Sequence, residues 1–224
     1  MPTPRALVLA AAAVALLAGC ASRPASGPMS FFISSVGVGK GADLGGLAGA
    51  DAHCQKLAAA VGAGAKTWRA YLSVPAMPAS GSTPAATAVH ARERIGGGPW
   101  FNAKGNLIAR DLAHLHNGNM IDKATALDEK GNVVRGRSDT PSEHDILTGS
   151  RADGTAHAPH TDTTCGAWTK SGDGSAIVGH HDRTGPTAEN WSTSWNFSHH
   201  SAGCSQEALV RTGGTGRLYC FASN

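Results

Sequence analysis

Long apolar runs are scarce in the 224 residues of this chain. The longest, from Ala6 to Ala18, falls short of the roughly 20 residues a helix needs to cross a bilayer, which argues against a permanent transmembrane anchor. Aromatic residues make up 5% of the chain while glycine alone numbers 29, a balance that describes a loop-rich domain needing help beyond apolar burial. Charge of one sign is also missing: the net charge is +3, and because Arg5 is the one charge ahead of residue 20, about +2 remains beyond it. No basic stripe or base-stacking motif accompanies that excess, so no nucleic-acid partner is expected. No two cysteines lie two to four residues apart, which removes the usual paired-thiolate zinc sites. The chain has no H-E-x-x-H helix and no G-x-S-x-G elbow, and the glycine-rich stretches Gly37–Gly41 and Gly213–Gly216 miss the phosphate-loop spacing and read as turns. Internal repeats and heptads are lacking too, so neither a solenoid nor a coiled coil is supported. These gaps point away from an enzyme, and no cofactor is expected.

What is present begins with a leader. Arg5, the apolar run and Leu17-Ala18-Gly19-Cys20 have the three-part layout of a secretory signal. The tetrapeptide resembles the bacterial lipobox, and that resemblance implies cleavage before Cys20, diacylglycerol on its thiol and palmitate-type acylation. Ala21 and Ser22 follow without an aspartate, which by the same resemblance favours the outer membrane. The expected layout is therefore a signal peptide over 1–19, a lipidated tether over 20–28 and one domain over 29–224, exposed on the periplasmic or surface face of the cell envelope.

Beyond Cys20, the cysteines are Cys54, Cys165, Cys204 and Cys220, an even number in an oxidising compartment, so two disulfides are expected. Three pairings are open. Loop-entropy arguments give about 4 kcal/mol for a loop the size of Cys165–Cys204 and about 5 for Cys54–Cys220, comparable to a domain's whole net stability. Met29–Val38 reads as a strand. Ala50–Val61 reads as a helix, with Cys54, Leu57, Ala58 and Val61 at helical spacing and Gly62 as its terminating glycine. Thr67–Val74 alternates like a strand, and a second helix is expected over Pro84–Ile95. Beyond Gly96, short apolar pieces separated by turn residues read as short strands and long loops.

Gly46-Leu47-Ala48-Gly49-Ala50-Asp51-Ala52-His53-Cys54 followed by Trp68-Arg69-Ala70-Tyr71-Leu72-Ser73 is similar to the opening helix and strand of the endostatin-like branch of the C-type lectin-like fold. Ile146-Leu147-Thr148-Gly149-Ser150, Cys165-Gly166-Ala167-Trp168, Gly203-Cys204 and Leu218-Tyr219-Cys220 resemble its later motifs in the same order. The resemblance implies an α+β fold, two helices packed on short, mostly antiparallel strands, with long loops. It also implies nested disulfides, Cys54 with Cys220 around Cys165 with Cys204. The sequence departs from the family in having no histidine between residue 20 and His53, and from calcium-dependent lectins in having no Trp-Asn-Asp.

Glu189, Asn190, Trp191, Trp195 and Asn196 are the candidate ligand-binding residues, because sugar recognition pairs an aromatic face with amide and carboxylate partners. Histidines are many: His114, His116, His157, His160, His180-His181-Asp182 and His199-His200. They suit zinc or copper chemically, but no spacing rule assigns a metal site. The expectation is a lectin-like envelope binding protein whose partners are the membrane, through Cys20, and a polysaccharide or another envelope protein. The rivals are a structural or adhesive protein without a small ligand, and a metal-dependent hydrolase built on the histidines. Cys20→Ser is expected to abolish labelling of the expressed protein by a palmitate analogue and release it from the membrane fraction; undiminished labelling would remove the lipid anchor.

Overall fold

The computed structural model describes residues 1, 26–79, 81 and 84–224. The leader, Cys20 and the tether before Ser26 lie outside the described residues. The domain is a mixed α+β fold. Its elements run β1 (Phe31–Ile33), α1 (Gly46–Ala60), β2 (Trp68–Ala70), α2 (Ala91–Arg94), β3 (Trp100–Phe101), β4 (Leu107–Ala109), α3 (Leu112–Asn117), β5 (Asp145–Leu147), α4 (Cys165–Trp168), β6 (Ile177–His180), β7 (His199–His200), α5 (Gln206–Thr212) and β8 (Gly214–Ala222).

The organising strand is β8. Its C-terminal half pairs antiparallel with both β1 and β2, and further back it pairs in parallel with β5, which leads on through β6 to β7. Side chains alternate across a strand, and here both faces are covered. Leu218, Cys220 and Ala222 join Phe32, Trp68, Leu72, Leu147 and Trp168 in one core beneath α1. Tyr219 and Phe221 join Phe31, Ile33, Tyr71, Trp100, Ile146 and Trp195 in the other. The strand expected over Thr67–Val74 is corrected to Trp68–Ala70: exposed and buried residues alternate from Thr67 to Ala70, after which Tyr71, Leu72 and Ser73 are all buried, Tyr71 in the second core and Leu72 in the first.

Two disulfides staple these layers. Cys54–Cys220 joins α1 to β8, and Cys165–Cys204 lies within that span, so the pairs are nested as the family resemblance implied. Helix α1 ends one residue short of the expected Val61, and Gly62 takes a left-handed φ of 82° while its N–H donates to the Ala59 carbonyl. Asp51, on the buried side of α1, accepts from both Arg94 (2.7 and 2.8 Å) and Arg69 (2.8 Å) and from the Ala70 N–H (2.9 Å), tying α1 to β2 and α2.

The second expected helix is corrected. Only Ala91–Arg94 is helical; Ala86 and Val89 instead form bridges with Met77 and Val74. Local alanine propensity gives way there to pairing with a segment already anchored in the core. Two principal helices also understates the count: five helical segments are present among the described residues, four of them two turns or shorter. No helix among them is long and apolar enough to cross a membrane.

Removing one partner of a buried ion pair leaves the others uncompensated. Asp51→Ala is therefore expected to lower the unfolding free energy by about 3 kcal/mol, read from denaturant midpoints with the disulfides intact. A loss below about 0.5 kcal/mol would mean that the two arginines find solvent instead.

Candidate functional site

Strand register gathers side chains that are far apart in the chain. In the β5–β6 ladder Asp145 stands opposite His180, and in the β6–β7 ladder His199 stands opposite Val178. His199 is thus the diagonal neighbour of His180 on the same face. His144 joins them from the residue before β5, where the pairing of β5 with β8 shifts register between Asp145 and Ile146. Such irregularities re-aim side chains that would otherwise alternate. Gly213 makes room: its φ is 98°, and a Cβ there would come within 3.0 Å of the His144 ring.

The outcome is a convergence on one buried carboxylate. Asp145 Oδ1 lies 3.2 Å from His144 Nε2, 3.3 Å from His180 Nε2 and 3.5 Å from His199 Nε2. His144 and His180 stack at 4.2 Å between ring centroids. The far nitrogens are all engaged: His144 Nδ1 faces Asp182 Oδ1 (3.3 Å), His180 Nδ1 the Ser192 carbonyl (2.7 Å) and His199 Nδ1 the His200 carbonyl (2.9 Å). Burial works to raise the Asp182 carboxyl, but hydrogen bonds from His144 and from the Arg137 and Thr184 N–H groups hold it well below the usual carboxylate range. Burial also works to raise Asp145, and the facing imidazoles bring it below its ordinary value. Asp145 in turn pushes the His199 imidazole up.

Above this floor opens a cup of about 490 Å³. Arg137, Pro186, Trp191, His199 and Arg211 form its wall, with His144 and His180 at its base, and none of its lining residues is acidic. Trp191 is 40% exposed, and its indole N–H donates to Glu189 Oε2 (3.2 Å).

The candidate loop is therefore divided. Trp191 faces the cup, and Asn190 faces a neighbouring polar pocket that also meets His116 and Arg183. Trp195 and Asn196 border that same pocket but are almost wholly buried. Trp195 is 2% exposed and packs on Tyr71 and Tyr219. The Asn196 amide donates to the Tyr71 hydroxyl and to the Arg151 and Ala152 carbonyls, so its donors are already engaged. Among the histidines, His180 and Asp182 point to the floor while His181 turns the opposite way, to the Arg135 carbonyl. Sequence reasoning passed over Asp145 and His144 altogether. Their only signal was a His-Asp pair opening an apolar strand.

No family model and no curated protein matches the chain.

A separate polar pair lies in the second core. The Tyr71 hydroxyl donates to His116 Nε2 (2.9 Å), and His116 Nδ1 donates to the Leu112 carbonyl (2.8 Å), an arrangement that requires a neutral ring. Burial pushes the Tyr71 hydroxyl far up and the His116 imidazole down. With the folded value of His116 below its ordinary value of about 6.5, the unfolded chain takes up the proton first; this contribution is complete above that pH and is lost as the pH falls through it. His116→Gln is expected to reduce the slope of melting temperature against pH between about pH 7 and 5.5, and an unchanged slope would assign the acid sensitivity elsewhere.

Proposed function

We propose that this chain is a lipid-anchored protein of the bacterial cell envelope, attached to the outer membrane through Cys20. Its domain is lectin-like, of the endostatin-like branch of the C-type lectin-like fold, and binds a polysaccharide rather than catalysing a reaction. The nested pairs Cys54–Cys220 and Cys165–Cys204 and the placement of α1 against β8 support the fold assignment. The leader supports the location.

The observation that carries the binding reading is the half-exposed Trp191 beside Arg137 and Arg211 in a cup without an acidic wall. An indole face offers flat apolar area to the C–H groups of a sugar ring. The guanidinium groups offer planar donors to hydroxyls and carboxylates. With no carboxylate lining the cup, those donors favour acidic sugar units over neutral ones.

The test is binding of the detergent-solubilised full chain to immobilised neutral and acidic polysaccharides. Trp191→Ala is expected to weaken binding at least about tenfold, and Arg137→Ala with Arg211→Ala to remove most of its salt dependence. Absence of binding by a folded protein, or binding that Trp191→Ala leaves intact, would overturn the proposal.

A further inference from the structure

Asp145 presents a physical problem that the binding cup does not explain. It is buried, and neither of its carboxylate oxygens has a hydrogen-bond partner, nor does the buried His180 Nε2 that faces it. An ionised carboxylate removed from water costs several kcal/mol unless a positive charge or donors compensate it.

The surrounding hydrogen bonds specify what faces that carboxylate. Each of the three histidines directs Nδ1 at an oxygen that can only accept: the ionised Asp182 carboxylate, the Ser192 carbonyl and the His200 carbonyl; His180 Nδ1 also meets the Ser198 hydroxyl at 3.1 Å, longer than its 2.7 Å contact with the Ser192 carbonyl. Each Nδ1 therefore carries the proton, and in the neutral ring each Nε2 presents a bare lone pair. Those lone pairs converge within 3.5 Å of an anionic oxygen. Lone pairs against an anion repel, so a cation belongs among them. Protonating both His144 and His180 is a poor alternative, because imidazolium rings stacked at 4.2 Å repel each other.

We propose that His144 Nε2, Asp145 Oδ1 and His180 Nε2 bind a divalent transition-metal ion, zinc foremost, at the floor of the cup. One ligand atom from each residue lies within 4.8 Å of the other two, the single such grouping among the described residues. Donor atoms on an ion with bonds of about 2.0–2.1 Å and tetrahedral angles stand roughly 3.3 Å apart, and the approaches to Asp145 Oδ1 are 3.2 and 3.3 Å. Imidazole with carboxylate is a zinc donor set, and it lacks the all-oxygen character that calcium or magnesium requires. The second layer has the form that orients metal-bound imidazoles, with a carboxylate behind His144 and a backbone carbonyl behind His180. Three protein ligands leave a coordination position free. That position faces His199 and the cup, where a ligand oxygen or water completes the shell.

This assignment stands apart from the identity of the saccharide and is read by metal content, not by binding. The full chain is purified without a histidine tag, dialysed against zinc and then against metal-free buffer, and its metal is counted by elemental mass spectrometry. Cobalt(II) is substituted in parallel for its visible spectrum. One zinc per chain and nitrogen/oxygen-type cobalt bands are expected, with zinc raising the melting temperature. Asp145→Asn and His180→Gln are expected to weaken zinc binding about 100-fold, while His53→Ala on α1 retains it. The cobalt spectrum of the unmutated chain serves as a readout independent of how the floor variants fold. Less than one tightly held ion per chain together with a solvated-cobalt spectrum would overturn the proposal, as would equal loss of zinc in His53→Ala and His180→Gln.

Discussion

Strand β8 is buried on both faces, and this leaves its partners no freedom of register. A slip of one residue would carry Tyr219 and Phe221 under α1 and drive Leu218 and Cys220 into a core shaped around Phe31, Tyr71 and Trp195. The Cys54–Cys220 bridge sets the same choice covalently, since a cysteine on the wrong face of β8 could not reach α1. Thin elements are tolerable around such a strand. Neighbours of two to four residues are marginal alone, but here each is paired with a strand whose position is already determined.

The same register builds the histidine floor. Once Leu147 lies opposite Val178 in the core, the ladder places Asp145 opposite His180 two residues on. The apolar half of each short strand thus supplies the burial that holds its polar half in place. A site mounted on paired strands is held more tightly than one mounted on loops, which suits a set of donor atoms meeting at distances of 3.2 to 3.5 Å. The cup wall has the other character: Trp191 comes from the long connection between β6 and β7 and is 40% exposed, so a change at that one position costs little stability.

The parts of this architecture legible in the sequence are those with a local signature or an ordered pattern. Gly62 marked the end of α1 because a left-handed residue is needed there, and the motif series resembling the endostatin-like branch implied the observed pairing. The stretch before Ala91 misled because alanines favour a helix locally, while Val89 and Ala86 pair with Val74 and Met77 over distances no window of helix periodicity covers. The floor was illegible for a similar reason. Asp145, His180 and His199 come from three strands and His144 from the residue before one of them, so their spacing reflects ladder register and obeys no motif. Neighbouring His180 and His181 diverge, as side chains along an extended segment do, whereas residues two apart, His180 and Asp182, share a side. Trp191 and Trp195 carried no signal to distinguish them; only the packing of Trp195 between Tyr71 and Tyr219 separates anchor from surface.

Floor and wall are also mechanically connected. His180 Nδ1 donates to the Ser192 carbonyl, one residue beyond Trp191, and the Ser192 hydroxyl in turn accepts from the Thr187 N–H across the loop. A cation on Nε2 makes the imidazole a stronger donor at Nδ1, which tightens its hold on that carbonyl. Charge placed at the floor is thereby transmitted through one ring to the backbone that presents the indole. The loop presents the indole, the strands contribute the rigidity, and the imidazole of His180 is the group that belongs to both.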